Sequence, residues 1–327
     1  MTTLVTGSAG HLGEAVMRTL AAAGEPALGL DRVASPFTGA VGSICDADFI
    51  RGRMNGVSAV IHAATLHKPH VATHAQRDFV ETNIAGTLTL LEAAVAAGVE
   101  AFVFTSTTSA FGSALTPAAG APAAWVTEDV PPVPRNIYGV TKLAAESLCE
   151  LFHRRHGLPV VVLRTSRFFP EADDDAVIRE RYATANAQAN ELAYRRVDIE
   201  DVVSAHRLAI ERAAQIGFGR FIVSATTPFQ RSDLAELRAD APAVVRRRFP
   251  EVEALYAERG WRFFPSIDRV YDNARARTEL GWRPAYDFRH VLACLAAGED
   301  FRSPLARSVG AKGYHTEIFE HGPYPVA

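Results

Sequence analysis

The stretch TGSAGHLG, Thr6 to Gly13, limits the possible folds of this chain more than any other. Glycines stand at 7, 10 and 13, directly after a short apolar strand (Thr3 to Thr6) and at the opening of a helical pattern, His11 to Ala23, that stops at Gly24. In such a turn the first glycine permits the tight bend and the second lets backbone approach a pyrophosphate. The third lets helix and strand pack closely. The helix N-terminus then offers free N–H groups and a partial positive charge to an anion. Gly7, Ala9, Gly10, His11, Leu12 and Gly13 are therefore expected to hold a dinucleotide. Asp31 ends the next strand, Ala27 to Leu30, 18 positions after Gly13. A carboxylate there accepts hydrogen bonds from an adenosine ribose and repels a 2′-phosphate, which favours NAD over NADP. Arg32 is expected against the adenine or in solvent, with service to a 2′-phosphate as the alternative.

Further apolar strands follow at Val57 to Ala63, Ala101 to Thr105 and Pro159 to Leu163. Long helices at Phe79 to Ala97 and Tyr138 to His156 alternate with them. Strands apolar on both faces and separated by helices imply an α/β fold with a doubly wound parallel (Rossmann) sheet. After Arg164 the texture changes. A polar and aromatic loop (167–175) is followed by helical stretches at Arg179 to Glu191 and from Glu200, then by a strand at Phe221 to Ser224. Beyond Pro228 helices and loops continue without a regular strand rhythm. This reads as a smaller, mostly helical C-terminal substrate domain, formed by 166–195 and 227–327, on a dinucleotide domain of 1–165 to which 196–226 returns. The tail, Gly310 to Ala327, is either a clasp or a loose end.

Bulk properties exclude several classes. A net charge of −3 gives no general pull toward nucleic acid or anionic membrane. No window holds the uninterrupted apolar run of a membrane span, and the N-terminus does not read as a signal peptide. Three scattered cysteines, Cys45, Cys149 and Cys294, fit no zinc spacing and read as buried fillers in a reducing compartment, so a cytoplasmic location is expected.

YGVTK places Tyr138 and Lys142 four apart on one face of a helix. A lysine there is expected to favour the phenolate and lower the tyrosine pKa, giving a candidate general acid/base. With TGSAGHLG, the segments HAAT (62–65), NIAGT (83–87), the hydroxyl run Thr105 to Ser109 before Gly112, and this pair, the chain resembles the extended short-chain dehydrogenases/reductases, the NAD-dependent epimerase/dehydratase group. The resemblance implies an NAD-dependent enzyme and a homodimer formed through the Phe79–Ala97 and Tyr138–His156 helices. It implies Thr107, five residues before Gly112, as the partner of the substrate oxygen beside Tyr138, with Lys142 also holding a ribose hydroxyl. Thr105, Ser106, Ala63, Ala64, Thr65 and Asn83 would line the cofactor, with Asn83 bracing the active-site helix or bonding locally. Where relatives carry Gly-Asp-Ile for the adenine, this chain has Gly42, Ser43 and Ile44, a weaker contact.

Relatives that eliminate water carry an acidic pair at the positions of Thr108 and Ser109. Hydroxyls here have no acid or base in reach of neutral pH. Oxidation/reduction, or epimerisation through a ketone, is left. The FFPE segment (168–171) is similar to that of uronate dehydrogenases, and RVDIED arrives about 26 residues after Pro170, without the Gly-rich stretch that helps relatives hold a nucleotide base. The expected reaction is hydride transfer at a secondary carbinol of a sugar-like substrate. A dehydrogenase of a sugar or sugar acid is slightly favoured over an NDP-sugar epimerase with tightly bound NAD, and a non-catalytic NAD sensor is a third reading. His67, Thr107, Thr108, Ser166, Arg167, Phe168 and Arg196 are the expected substrate contacts, with Arg164 a further candidate for a carboxylate. No metal is expected, although His62, His67, His70 and His74 crowd one region. The acidic run Asp173 to Asp175 reads as a solvated turn or as a helix N-cap before Ala176.

Overall fold

The computed structural model describes residues 2–313. Seven parallel strands form the main sheet in the order β3-β2-β1-β4-β5-β7-β8. The first part of the chain runs β1 (Thr2–Thr6), α1 (His11–Ala22), β2 (Ala27–Asp31), β3 (Ala40–Val41), α2 (Ala47–Arg53) and β4 (Val57–His62). Helices α3 (Gln76–Phe79) and α4 (Gly86–Ala97) follow, then β5 (Ala101–Thr107), β6 (Ala124–Val126), α5 (Ile137–His156) and β7 (Val160–Thr165). The order reverses between β1 and β4. In open parallel sheets the crevice at such a switch point, at the carboxyl ends of the strands, is where ligands bind.

Alternation along the strands explains the layers. Val5, Ile61, Val103, Val161 and Leu163 face α1 and α8 (Ile199–Ile216) in one apolar cluster. Leu4, Val60, Phe102, Phe104 and Val162 face the opposite layer, with Leu90, Leu91 and Ala145 from α4 and α5. Both faces are dry, so neither can carry the polar alternation of a half-exposed sheet.

Between β7 and α8 lie α6 (Ala176–Arg181) and α7 (Thr184–Glu191). The chain then forms β8 (Phe218–Val223), α9 (Leu234–Arg248), α10 (Val252–Ala257), β9 (Arg269–Tyr271), α11 (Phe288–Ala297) and α12 (Pro304–Val309). A separate cluster, with Leu192, Tyr194, Leu237, Val245, Phe249, Phe264 and Phe288, packs these later helices.

Several expectations need correction. The helix foreseen over Phe79–Ala97 starts at Gln76 and carries a π-helical stretch, Val80–Ala85, which contains Asn83. Such a wide turn shifts the side-chain phase and is common at functional sites. Arg179–Glu191 is two helices, because Tyr182 and Ala183 are extended. β5 runs two residues further than expected, carrying Ser106 and Thr107 as strand, paired with Arg164 and Thr165 of β7. β8 starts at Phe218 rather than Phe221. The later part of the chain does supply a strand: β9 pairs in parallel with β6, far away in sequence. Both are three residues long, too short to register as a rhythm.

Asp175 caps α6 by accepting from Val177 N, as read from the sequence, but Asp173 is buried rather than solvated. Cys149 and Cys294 are buried, whereas Cys45 is only half-buried. Among the described residues no helix is long and apolar enough to cross a membrane.

Candidate functional site

A single cleft of about 740 Å³ opens at the carboxyl ends of the central strands, and nearly every residue singled out from the sequence lines it. The turn after β1 is built by steric exclusion. Gly7 has φ +77°, and a Cβ there would sit 2.8 Å from Ala64 N; a Cβ on Gly13 would sit 1.9 Å from the Gly7 carbonyl oxygen. No side chain caps the N-terminus of α1. Its first N–H groups therefore point into the cleft as an anion site. Asp31 accepts from Ala9 N and Val33 N, each at 3.0 Å, which fixes the phosphate turn to the end of β2 while leaving lone pairs for a ribose. A glycine cradle, an uncapped helix end and a carboxylate at the ribose position together fit a dinucleotide.

Ser43, Ile44, Ala63, Ala64 and Thr65 line the same cleft, with Arg32. Asn83 does not. Its side chain accepts from Leu66 N and Thr65 Oγ1 and donates to the Leu66 carbonyl and Thr141 Oγ1, all within 3.0 Å. It ties the loop after β4 to the first turns of α5, the bracing role rather than a cofactor contact. His62 is buried beneath, between Thr6 and Thr87, and burial drives its pKa well below that of a free histidine. Thr87 donates to the Asn83 carbonyl, so His62 Nε2–H donates to Thr87 and Nδ1 accepts from Thr6. Asp46 turns away to cap α2. Among the described residues no group of three His, Cys, Asp or Glu side chains has the arrangement of a metal site.

The hydroxyl run divides sharply. Thr105 donates to His206 Nε2 at 2.8 Å, since His206 Nδ1–H is given to the Val202 carbonyl. Ser106 donates to Glu146 at 2.6 Å. Both residues line the cleft, yet their hydroxyls serve the protein interior rather than a ligand. Thr107 keeps its hydroxyl at the cleft, accepting from Ser109 N and hydrogen-bonded to the Tyr138 phenol. Thr108 bonds the Thr165 carbonyl.

Tyr138 and Lys142 project into the cleft from α5, whose start is set by Asn136 accepting from Gly139 N. The electrostatics differ from the simple expectation. Burial pushes the Tyr138 phenol up to about 12, against the pull of Thr107. Burial also lowers Lys142 to about 7, and its Nζ rests 4.2 Å from the Phe104 ring centre. Desolvation therefore outweighs any help the lysine gives the phenolate. Glu146, one turn beyond Lys142, was not singled out from the sequence. It accepts two hydrogen bonds from buried Arg164, at 3.0 and 2.8 Å, which removes Arg164 from the cleft.

The opposite wall is made of charge. Arg167 pairs with Asp173 and, at 2.7 Å, with Asp174; Lys68 also bonds Asp174. Glu191 accepts from Arg195 at 2.6 Å and Arg196 at 2.7 Å. Burial alone would raise the Glu191 pKa, but Arg195, Arg167 and Arg196 hold it well below the usual carboxylate range. Arg196, an expected substrate contact, does not line the cleft: it is buried against Glu191 and the Phe169 carbonyl. Its neighbour Arg195 lines the cleft instead, together with Arg269, Tyr271 and Lys312. Alternation at the short Arg167–Arg196 bridge decides which arginine faces in, and nothing local in the sequence reveals that phase. Ser166, Arg167, Phe168 and His67 line the cleft as expected.

Comparison with known proteins agrees with this geometry. The model of the "NAD dependent epimerase/dehydratase family" matches residues 3–223, more than half of the chain. The chain belongs to that family. The family is one of enzymes and its cofactor is NAD. A UDP-glucose 4-epimerase from Azospirillum brasilense is 27% identical over 347 aligned positions, covering 95% of this chain and 94% of that protein. An L-arabinose 1-dehydrogenase (NAD(P)(+)) from Haloferax volcanii is 32% identical over 168 positions, covering 49% of this chain and 64% of that protein. A short-chain dehydrogenase/reductase superfamily protein from Agrobacterium tumefaciens, solved with bound NAD, superposes with a TM-score of 0.63 at 25% identity, covering 94% of this chain and 99% of that one.

Proposed function

We propose that this family member is an NAD-dependent dehydrogenase that oxidises a secondary carbinol on a small sugar acid. The observation that carries this reading is the composition of the wall facing Tyr138. Ser166 Oγ, Arg195 Nε and Arg269 Nε are buried without a hydrogen-bond partner among the described residues, and all three residues line the cleft. Buried donors without partners are costly, so a ligand rich in acceptors suits them. Arg167 and Arg195 line the cleft as well, and guanidinium groups suit a carboxylate.

Tyr138 acts as the acid/base. In the oxidising direction the phenolate takes the proton of the substrate hydroxyl as the C–H hydride leaves, and the Thr107 hydroxyl donates to the same oxygen. When bound, NAD supplies the hydride acceptor. Lys142 provides positive charge below the phenol and a donor for a ribose hydroxyl. Thr108 and Ser109 offer no acid, so the intermediate ketone keeps its neighbouring hydroxyl rather than losing water. A homodimer through α3, α4 and α5 belongs to the same reading, and Val80, between α3 and α4, and Val140 of α5 are exposed. The three free thiols suit a reducing, cytoplasmic setting.

The near full-length match to a UDP-glucose 4-epimerase supports a second reading, in which the hydride returns to the other face of a ketone on a nucleotide sugar. NADH absorbance with NAD across free sugars, uronates and UDP-sugars separates the two. Absorbance growing with a sugar acid supports the dehydrogenase. Flat absorbance with chromatographic conversion of a UDP-sugar replaces it with the epimerase. A Tyr138→Phe protein that keeps full biological activity would instead mean a cofactor sensor.

A further inference from the structure

Two carboxylates stand beside the phosphate turn without lining the cleft itself. Glu14, in the first turn of α1, is only 4% exposed. Glu171, at the end of the FFPE loop, approaches His11 Nε2 at 2.9 Å in the phosphate turn itself. A pyrophosphate brings two further negative charges to the N-terminus of the same helix. The helix end attracts it, but carboxylates held close in a poorly solvated site repel it.

The C-terminal segment answers both carboxylates. Lys312 Nζ donates to Glu14 Oε2, and its backbone N–H lies 3.3 Å from Glu171 Oε1 and 3.1 Å from His11 Nε2. Since His11 Nε2–H is given to Glu171, the Lys312 N–H serves the carboxylate rather than the ring. Arg18 holds the other Glu14 oxygen at 2.8 Å. With Lys312 and Arg18 paired to it, the Glu14 carboxyl stays below the ordinary range although burial alone would raise it, so it is ionised at neutral pH. Arg18 is partly exposed, so solvent weakens its share. Lys312 lines the cleft and lies well outside the region matched by the family model.

We infer that Lys312 is a cofactor-affinity residue supplied by the C-terminal segment: it neutralises Glu14 at the phosphate turn and so allows the NAD pyrophosphate to dock on α1. It is a positioning residue, acting through Glu14 and the clasp on Glu171 and His11. It takes no part in the proton or hydride transfer.

The test is calorimetric titration of NAD into the purified full-length chain, with no substrate present. Lys312→Met is expected to weaken NAD binding about tenfold, and Lys312→Arg to keep it near wild type. Glu14→Gln alone is expected to bind NAD as tightly as wild type or better. Glu14→Gln in the Lys312→Met background is expected to recover most of the loss, because the uncompensated charge is gone. Lys312 is exposed on the surface, and circular dichroism checks that each variant is folded. Unchanged NAD affinity in Lys312→Met overturns the proposal. So does a double variant as weak as the single one, which would mean that the lysine acts through shape rather than charge. Should Lys312→Met fold poorly, weaker NAD binding by Glu14→Gln alone overturns it as well.

Discussion

The two walls of the cleft are held by different forces. The cofactor side is made of backbone: a turn that only glycine fits, an uncapped helix end, and Asp31 pinning the Ala9 amide. The side proposed for substrate is made of long charged side chains, Arg167, Arg195 and Arg196 against Asp173, Asp174 and Glu191. A backbone site tolerates little change in sequence but needs no partner to stay in place. A charged wall works only while every member is present, because each buried charge depends on its neighbours.

The largest expected effect lies where the walls meet. Tyr138→Phe should lower kcat/KM by roughly 10²- to 10⁴-fold while NAD affinity and melting temperature stay near wild type. A loss of NAD binding of similar size would show that the phenol belongs to the cofactor wall instead. Glu191→Gln strikes the charged wall. With three arginines around one missing charge, urea denaturation should report a loss of about 3–5 kcal/mol, and a loss below about 1 kcal/mol would show that the network relaxes freely.

Lys142 tests the cofactor wall for a hidden charge. Its folded pKa of about 7 lies below the value of a free lysine, so the unfolded chain binds more protons between about pH 7 and 10.5. Stability should therefore rise with pH across that window and carry the full cost of the buried ammonium below it. Lys142→Met should be the more stable protein at pH 7, by roughly 1–4 kcal/mol, and the gap should close as the pH approaches 10. An equal gap at pH 7 and pH 10 would sink the assignment. The smallest effect is expected at Asp31. Asp31→Ala should weaken NAD binding by about 1 kcal/mol and narrow the preference over NADP, because the glycine turn and helix end still carry the pyrophosphate. A loss above about 3 kcal/mol would make this wall as charge-dependent as the other.

The same contrast governs what could be read beforehand. The glycine spacing and Tyr138 with Lys142 are local patterns that meet at the cleft, and the double-faced apolar strands are a local pattern that builds the sheet beneath it. Thr105 and Ser106 do line the cleft, but the sequence carries no sign of the two distant partners, His206 and Glu146, that take their hydroxyls. Lys312 carried no local signal at all. Arg195 was hidden beside Arg196, since adjacent residues differ only in the face they take.

The sequence by itself determined the parallel sheet, the glycine turn and the placing of Tyr138 and Lys142 on one helix face, because backbone sterics and helical or strand period act within a few residues. Only the tertiary structure decided which arginine faces the cleft, how far burial moves Tyr138 and Lys142, and that Lys312 reaches the phosphate turn. Those depend on desolvation and on charges brought together from distant segments, neither of which has a period to read.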